Sequence, residues 1–434
     1  MTEIRVIGAG LAGCEAAAAL SRMGHRVRLI EMKPEKYTPA HKSADFAELV
    51  CSNSLKAMRP DSAAGLLKAE MRRFGSVCLD AADRCAVPAG GALAVERHEF
   101  SRLVTERILS DPNITVEHRE ATSLDPESPT IIAAGPLVSD ALSAEISKLT
   151  GGFLSFFDAA APIVTADSLD REKVHAASRY GVGGDDYLNC YFRKADYEAF
   201  WQALTEAETA PLHGFEQDQK VYEGCMPIEK LAKRGIDSIR FGPLKPVGLR
   251  DPATGHRPWA AVQLRKENRE GTLYNLVGFQ TNLKFGEQKR VFSMIPGLEH
   301  AEFVRYGVMH RNSFLDAPKA LSPDLSLKNA PNIFAAGQIT GFEGYMESAF
   351  SGILSAVFMD RRLRGLPLIL PPEDTMCGAM LAYLRQENKD FQPMGANMGI
   401  LPPPAELIKD KKLRYAALAE RALASLDRYL EELK

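Results

Sequence analysis

Three glycines constrain this chain more than any other feature. In Gly8-Ala9-Gly10-Leu11-Ala12-Gly13 they follow directly on an apolar run at residues 4–7. They open a small-residue stretch, 11–23, that reads as a helix stopped at Gly24. Each glycine has its own task. Gly8 permits a tight strand-to-helix turn, Gly10 lets a pyrophosphate approach the backbone, and Gly13 lets the helix lie close to the strand. The phosphates then sit at the helix N-terminus, where free N–H groups and the macrodipole favour anions. A second strand, 27–30, runs into Glu31, an acid placed to accept hydrogen bonds from an adenosine ribose. Strand, glycine turn, helix, strand and acid in this order predict dinucleotide binding by Gly8, Ala9, Gly10, Leu11, Ala12, Gly13 and Glu31.

The rest of the chain extends this start. Residues 37–60 read as polar and irregular, and Ser62 can cap a helix running to about Phe74, with Gly75 as its stop. A helix over 96–110 and strands over 115–120 and 130–134 follow, the last closing on Gly135. From about residue 160 the βα rhythm gives way to short β-like runs, among them TLYNLVGFQ and AEFVRYGVM. Near 331 the first pattern returns: NIFAAG is a strand closing on Gly337, a helix starts at about Glu347, and residues 405–433 are helical. The expected fold class is α/β: a Rossmann-like FAD-binding domain at 1–160 and 325–434, interrupted by a mixed α/β insertion domain at 161–324. The segment FAAGQITGFEGYMESAFSG favours FAD, since a long cofactor crosses the whole sheet edge. Its Gly337, Gln338 and Gly352, with Gly135, are expected along the cofactor.

Composition narrows the setting. No apolar run approaches the ~20 residues that span a bilayer, and no signal peptide opens the chain. The seven cysteines have neither framework nor metal spacing. A cytoplasmic protein with reduced thiols, no metal and no membrane association is expected. The net charge of −3 does not announce a polyanion partner, but it is unevenly spread. Residues 220–320 hold 17 Lys/Arg against 10 Asp/Glu, with Phe241, Trp259, Tyr274, Phe279, Phe285 and Phe292 interleaved. That mixture suits phosphate contact with base stacking, or simply a solvated basic face over an ordinary core. Cys51 in ELVCSNSLK and Cys225 in EGCMPIE stand in polar, turn-like settings. From the residues alone each is a nucleophile or a packing residue. Cys14, inside the first helix, reads as packing.

Ten segments in order span nearly the whole chain: GAGLAGCEAA, ELVCSNSLK, GGALAVER, CYFRKADY, EGCMPIEKLAKRG, RFGPLKPVGL, YNLVGFQTNLKFGEQKRVF, IPGLEHAEFVRYGVMHRN, FAAGQITGFEGYMESAFSG and FQPMGANMGILP. On these the sequence resembles the folate- and FAD-dependent tRNA (uracil-5-)-methyltransferases of bacteria. The resemblance implies that a methylene group from 5,10-methylenetetrahydrofolate goes to C5 of the T-loop uridine, tRNA position 54. Reduced FAD takes it to methyl, and NAD(P)H reloads the flavin. Cys225 matches the family nucleophile and Cys51 a second catalytic cysteine, with the division of roles between them open. Lys284, Lys289, Arg290 and Tyr345 are expected on the substrate side. Alternatives are a related flavoprotein that modifies wobble uridine, an rRNA uridine methyltransferase of the same family, and a non-catalytic tRNA-binding flavoprotein. The wobble-uridine enzymes carry a long C-terminal helical extension not seen here. The intact Cys51 and Cys225 argue against the non-catalytic protein.

Overall fold

The computed structural model describes residues 3–152, 154–159, 161–210, 226–268, 270–307, 309–386 and 391–434. The first apolar run forms the strand Glu3–Ile7, in which Ile4 and Val6 are fully buried. It sits inside a six-stranded sheet ordered Ser326–Leu327, Ala330–Ala335, Thr130–Ile132, Glu3–Ile7, Arg26–Glu31 and Ile114–His118. Every pairing is parallel except that of the two-residue edge strand 326–327. Glu3, Arg5, Arg26 and Arg28 alternate with buried Ile4, Val6, Val27 and Leu29 at the amino ends of Glu3–Ile7 and Arg26–Glu31, and the runs turn apolar toward the carboxyl edge. The helix Leu11–Arg22 makes the crossover between the first two strands, and Gly24 ends it at φ +89°. Arg26–Glu31 lies on one side of Glu3–Ile7 and Thr130–Ile132 on the other. The strand order therefore reverses at the glycine turn, the point where open α/β sheets bind their ligands.

A second six-stranded sheet is antiparallel in every pairing and lies between residues 163 and 305. The helices Lys194–Glu206, Ile228–Ala232 and Phe285–Phe292 contribute to its core, which includes Val164, Phe200, Phe279 and Phe292. That core is separate from the one holding Val6, Leu29, Ile131, Phe334 and Ile353. A two-stranded antiparallel ribbon, Leu154–Ala159 with Met309–Phe314, lies where the chain passes between them.

Several expectations change in detail. AEFVRYGVM is not one strand but two pieces, Phe303–Arg305 in the second sheet and Met309–Phe314 in the ribbon. The break has a cause: the fully buried Gln288 side chain accepts the Gly307 N–H and donates to its carbonyl, both at 2.8 Å, pulling the chain out of the sheet. The 37–60 stretch contains a short strand, Ser54–Ala57, paired with Ala92–Val95. Helices Val77–Arg84, Asp140–Thr150 and Met376–Arg385 start at Ser76, Ser139 and Thr375, each of whose side chains accepts a backbone N–H. The last helix begins at Lys411, capped by Asp410, six residues later than the sequence suggests.

Candidate cofactor and thiol site

One cavity of about 420 Å³ opens at the carboxyl edge of the parallel sheet. Its wall includes Gly8, Ala9, Gly10, Leu11 and Ala12 of the glycine turn, together with Glu31, Cys51, Gly135, Gly337, Gln338 and Tyr345. The turn is built as the glycines demand. Gly8 has φ +99°, and a Cβ there would stand 2.6 Å from the Ala133 carbonyl oxygen. A Cβ on Gly13 would stand 1.8 Å from the Gly8 carbonyl oxygen, so Gly13 serves helix–strand packing and lies outside the wall. A Cβ on Gly10 or Gly135 would meet nothing within 4 Å. Those two glycines leave open space on the ligand side. Glu31 closes the turn: its carboxylate accepts the Ala9 N–H at 2.7 Å and the Lys33 N–H at 2.9 Å.

These residues fit a dinucleotide. The helix Leu11–Arg22 starts at Gly10 with no side-chain cap and no acid in its first turn, so its N-terminal field is left for an anion. The helix Tyr345–Leu363 also starts uncapped, at Gly344, and Tyr345 to Ser348 line the cavity. Glu347 is 1% exposed, and its Oε1 pairs with the Lys56 ammonium at 2.8 Å. Its buried Oε2 has no hydrogen-bond partner among the described residues and is an acceptor on the cavity wall. Gly337, at φ +87°, donates its N–H to Ser351 Oγ at 2.6 Å, and Gln338 Nε2 donates to Glu343 at 2.6 Å.

Gly352 is placed elsewhere. It lies outside the wall, and a Cβ on it would come 2.0 Å from the Ala12 carbonyl oxygen. It lets the helix Tyr345–Leu363 cross the first helix at close range. Its effect on a cofactor runs through the position of Ala12. The signal was present in the sequence as small residues at helical spacing, Ala349, Gly352 and Ala356, facing the alanine-rich first helix.

Cys51 lines the cavity and its loop is held from three directions. The Tyr345 hydroxyl accepts the Cys51 N–H at 2.7 Å and the Ser52 N–H at 3.1 Å. Arg305 donates to the Cys51 carbonyl at 2.9 Å. Arg265 donates to Asn53 Oδ1 at 2.9 Å and Ser52 Oγ at 2.7 Å, and Asn53 in turn donates to the Lys266 and Val95 carbonyls. Arg97 reaches the Leu49 carbonyl and pairs with Glu267 at 3.0 Å. The guanidiniums of Arg97, Arg265 and Arg305 thus surround the Cys51 loop, and Glu267 pairs with Arg97. Burial, and next the charge of Cys51, push the Tyr345 phenol up, so it stays protonated at working pH. Nothing local in the sequence marks this clamp, because its partners lie up to 294 residues from Cys51.

Cys225 lies outside the described residues, which leave out 211–225. The residues on either side of that segment are anchored. Ala210 donates to the Asn282 carbonyl and Ile228 to the Gln280 carbonyl, both at 2.7 Å, and Gln280 lines the cavity. Lys284, Lys289 and Arg290 are exposed and do not line it. Lys284 is 2.5 Å from Glu208, and Arg290 is 2.7 Å from Glu287. The remaining cysteines, Cys14, Cys78, Cys85, Cys190 and Cys377, are buried, and burial pushes the Cys14 thiol well up. Among the described residues no group of acids, histidines and cysteines could hold a metal ion, and no helix is long and apolar enough to cross a membrane.

Known proteins share both sequence and fold with this chain. The family model described as glucose inhibited division protein A matches residues 3–367. The methylenetetrahydrofolate–tRNA-(uracil-5-)-methyltransferase TrmFO of Halalkalibacterium halodurans is 52% identical over 433 residues, covering 99% of both chains. The protein of the same name from Desulfitobacterium hafniense is 54% identical over 431 residues, covering 99% of this chain and 98% of its own. Among solved structures, Aquifex aeolicus GidA superposes with a TM-score of 0.68 at 16% identity, covering 99% of this chain and 76% of that one. The last likeness shows a shared fold.

Proposed function

Because the chain belongs to the methylenetetrahydrofolate–tRNA-(uracil-5-)-methyltransferases, within the glucose inhibited division protein A family, we propose that its cavity methylates uridine in tRNA. It is a folate- and FAD-dependent enzyme. It moves a methylene group from 5,10-methylenetetrahydrofolate to C5 of the T-loop uridine. Bound reduced FAD supplies the electrons that take methylene to methyl, and NAD(P)H restores them. The setting is cytoplasmic. The chain is organised as an FAD-binding domain at 1–160 and 325–434 and an insertion at 161–324, a division supported by the two separate cores.

The observation that carries the reading is that one cavity joins Gly10 to Cys51. The first helix's uncapped N-terminus and the space beside Gly10 hold the pyrophosphate, and Glu31 takes the ribose. Gly337, Gln338 and the helix N-terminus at Tyr345 face the flavin end. Uracil C5 is a poor nucleophile until a thiolate adds to C6 and makes C5 an enolate carbon. Cys225 is that thiolate; Ile228, three residues further on, donates to the carbonyl of Gln280 on the cavity wall. Cys51, held by Tyr345 and Arg305, is the second thiol. It removes or carries the proton that C5 must lose. The 220–320 stretch of the insertion, with 17 Lys/Arg against 10 Asp/Glu, receives the RNA.

Mapping the product tests this. An unmodified tRNA transcript, incubated with methylenetetrahydrofolate and NAD(P)H, is expected to gain 5-methyluridine in the T-loop. Modification at the wobble position, or in rRNA and not in tRNA, contradicts the reading and selects one of the related activities.

A further inference from the structure

We propose that Phe285 is a base-stacking platform for the RNA, an inference that rests on the tRNA-methylating reading above. Phe285 opens the helix Phe285–Phe292 and is 56% exposed. Its covered face stacks on Tyr306, with centroids 4.9 Å apart and planes at 18°. Tyr306 stacks in turn on Phe303, at 5.4 Å and 15°. Phe303 meets the buried Phe292, so the ladder runs from the core to solvent. Other ring pairs of this core are tilted or steep, from Phe192 with Phe200 at 38° to Phe279 with Phe292 at 82°. Here three near-parallel rings end in an open, flat π face, which accepts any nucleobase.

The platform is fixed and faces a polyanion's needs. Gln288 bonds both backbone groups of Gly307 and so locks Tyr306 against the helix that carries Phe285. The neighbouring Arg305 holds the Cys51 carbonyl, and Gln280, five residues before Phe285, lines the cavity. The ladder is therefore tied to the site on both sides. Lys284, Lys289 and Arg290 lie on the same exposed edge, in the segment whose 17 basic residues outnumber its 10 acidic ones. Lys284 and Arg290 each have a local carboxylate, so stacking carries more of the contact at this point than charge does. Of the other aromatics in that segment, Tyr274, Phe279 and Phe292 are buried in the core.

The test compares wild type with Phe285→Ala, Phe285→Leu and Phe285→Trp, using an unmodified tRNA transcript at two salt concentrations. Alanine and leucine are expected to weaken binding roughly tenfold, the loss of one stacked base, with the salt slope unchanged because no phosphate contact is removed. Tryptophan restores affinity, and the added tRNA quenches its fluorescence relative to wild type. Flavin content and reduction by NAD(P)H stay the same in all four. The platform is overturned if alanine binds as wild type, if leucine restores affinity as well as tryptophan, or if weakened binding comes with lost flavin. Wild type that neither binds nor methylates the transcript overturns the functional reading itself. Wild type that methylates, beside an unaffected alanine variant, overturns the platform alone.

Discussion

The Tyr345 hydroxyl takes the backbone N–H of Cys51, at 2.7 Å, and of its neighbour Ser52, at 3.1 Å. One side chain at the start of a late helix thus sets the loop that carries Cys51. Tyr345→Phe keeps the ring and removes the acceptor, leaving two N–H groups unpaired at ~1–3 kcal/mol each. The expected result is bound FAD, an unchanged KM for methylenetetrahydrofolate and a kcat for methylation lowered roughly 10- to 100-fold. Full turnover in this variant contradicts the positioning role.

Two glycines give opposite expectations. Gly10→Ala places a methyl where nothing lies within 4 Å, so the apoprotein should melt as wild type does while FAD binding weakens. Gly352→Ala puts a methyl 2.0 Å from the Ala12 carbonyl oxygen, backbone that cannot swing aside. It should lower Tm by several degrees, an overpacking cost of about 1–3 kcal/mol, and loosen FAD as a consequence. Thermal melts of the apo and FAD-loaded proteins separate the two effects. Equal Tm losses in both apoproteins contradict the assignment.

Cys225→Ala should abolish methylation and the covalent adduct with RNA containing 5-fluorouracil, because that adduct needs a thiolate at C6. Cys51→Ala should keep the adduct and lose turnover. An adduct that survives in Cys225→Ala and disappears in Cys51→Ala reverses the two roles.

Glu70 gives the stability curve a definite slope. Its carboxyl is fully buried and accepts the Met376 and Cys377 N–H groups at 2.7 and 2.9 Å. Burial pushes its pKa up to about 7, against 4.5 for the ordinary group. The folded state therefore binds the extra proton more tightly than the unfolded chain does. The contribution is fully present below about pH 4.5 and is lost as pH rises through about 7. Urea midpoints for wild type should fall across that window more steeply than those for Glu70→Gln, with the two curves parallel above it. Curves parallel throughout contradict the shift.

The local part of the site was legible and the assembled part was not. The glycine turn, Glu31, Gly135 and Gly337 announce themselves because strand ends and turns are written in a few consecutive residues, whereas the sequence puts Tyr345 on the substrate side and starts the helix it opens two residues later. Cys51 could be singled out by its polar setting, but its clamp could not. Arg265 is 212 residues from Asn53 and Arg305 is 254 from Cys51, and nothing local in either sequence marks the meeting. Gly352 was read with the cofactor because it closes a glycine-rich segment, when its helical spacing with Ala349 and Ala356 marks it for packing. The basic stretch was visible as charge, yet only the fold separates the buried Phe279 from the exposed Phe285.

The chain belongs to enzymes that move folate's one-carbon unit to uracil C5. Methylenetetrahydrofolate labelled with carbon-13 in the methylene bridge, supplied with NAD(P)H and unmodified tRNA, tests this transfer most directly by mass spectrometry of the nucleosides. One labelled methyl is expected on C5 of the T-loop uridine, dependent on FAD and absent in Cys225→Ala. An unlabelled methyl, or label on a different nucleoside, would contradict it.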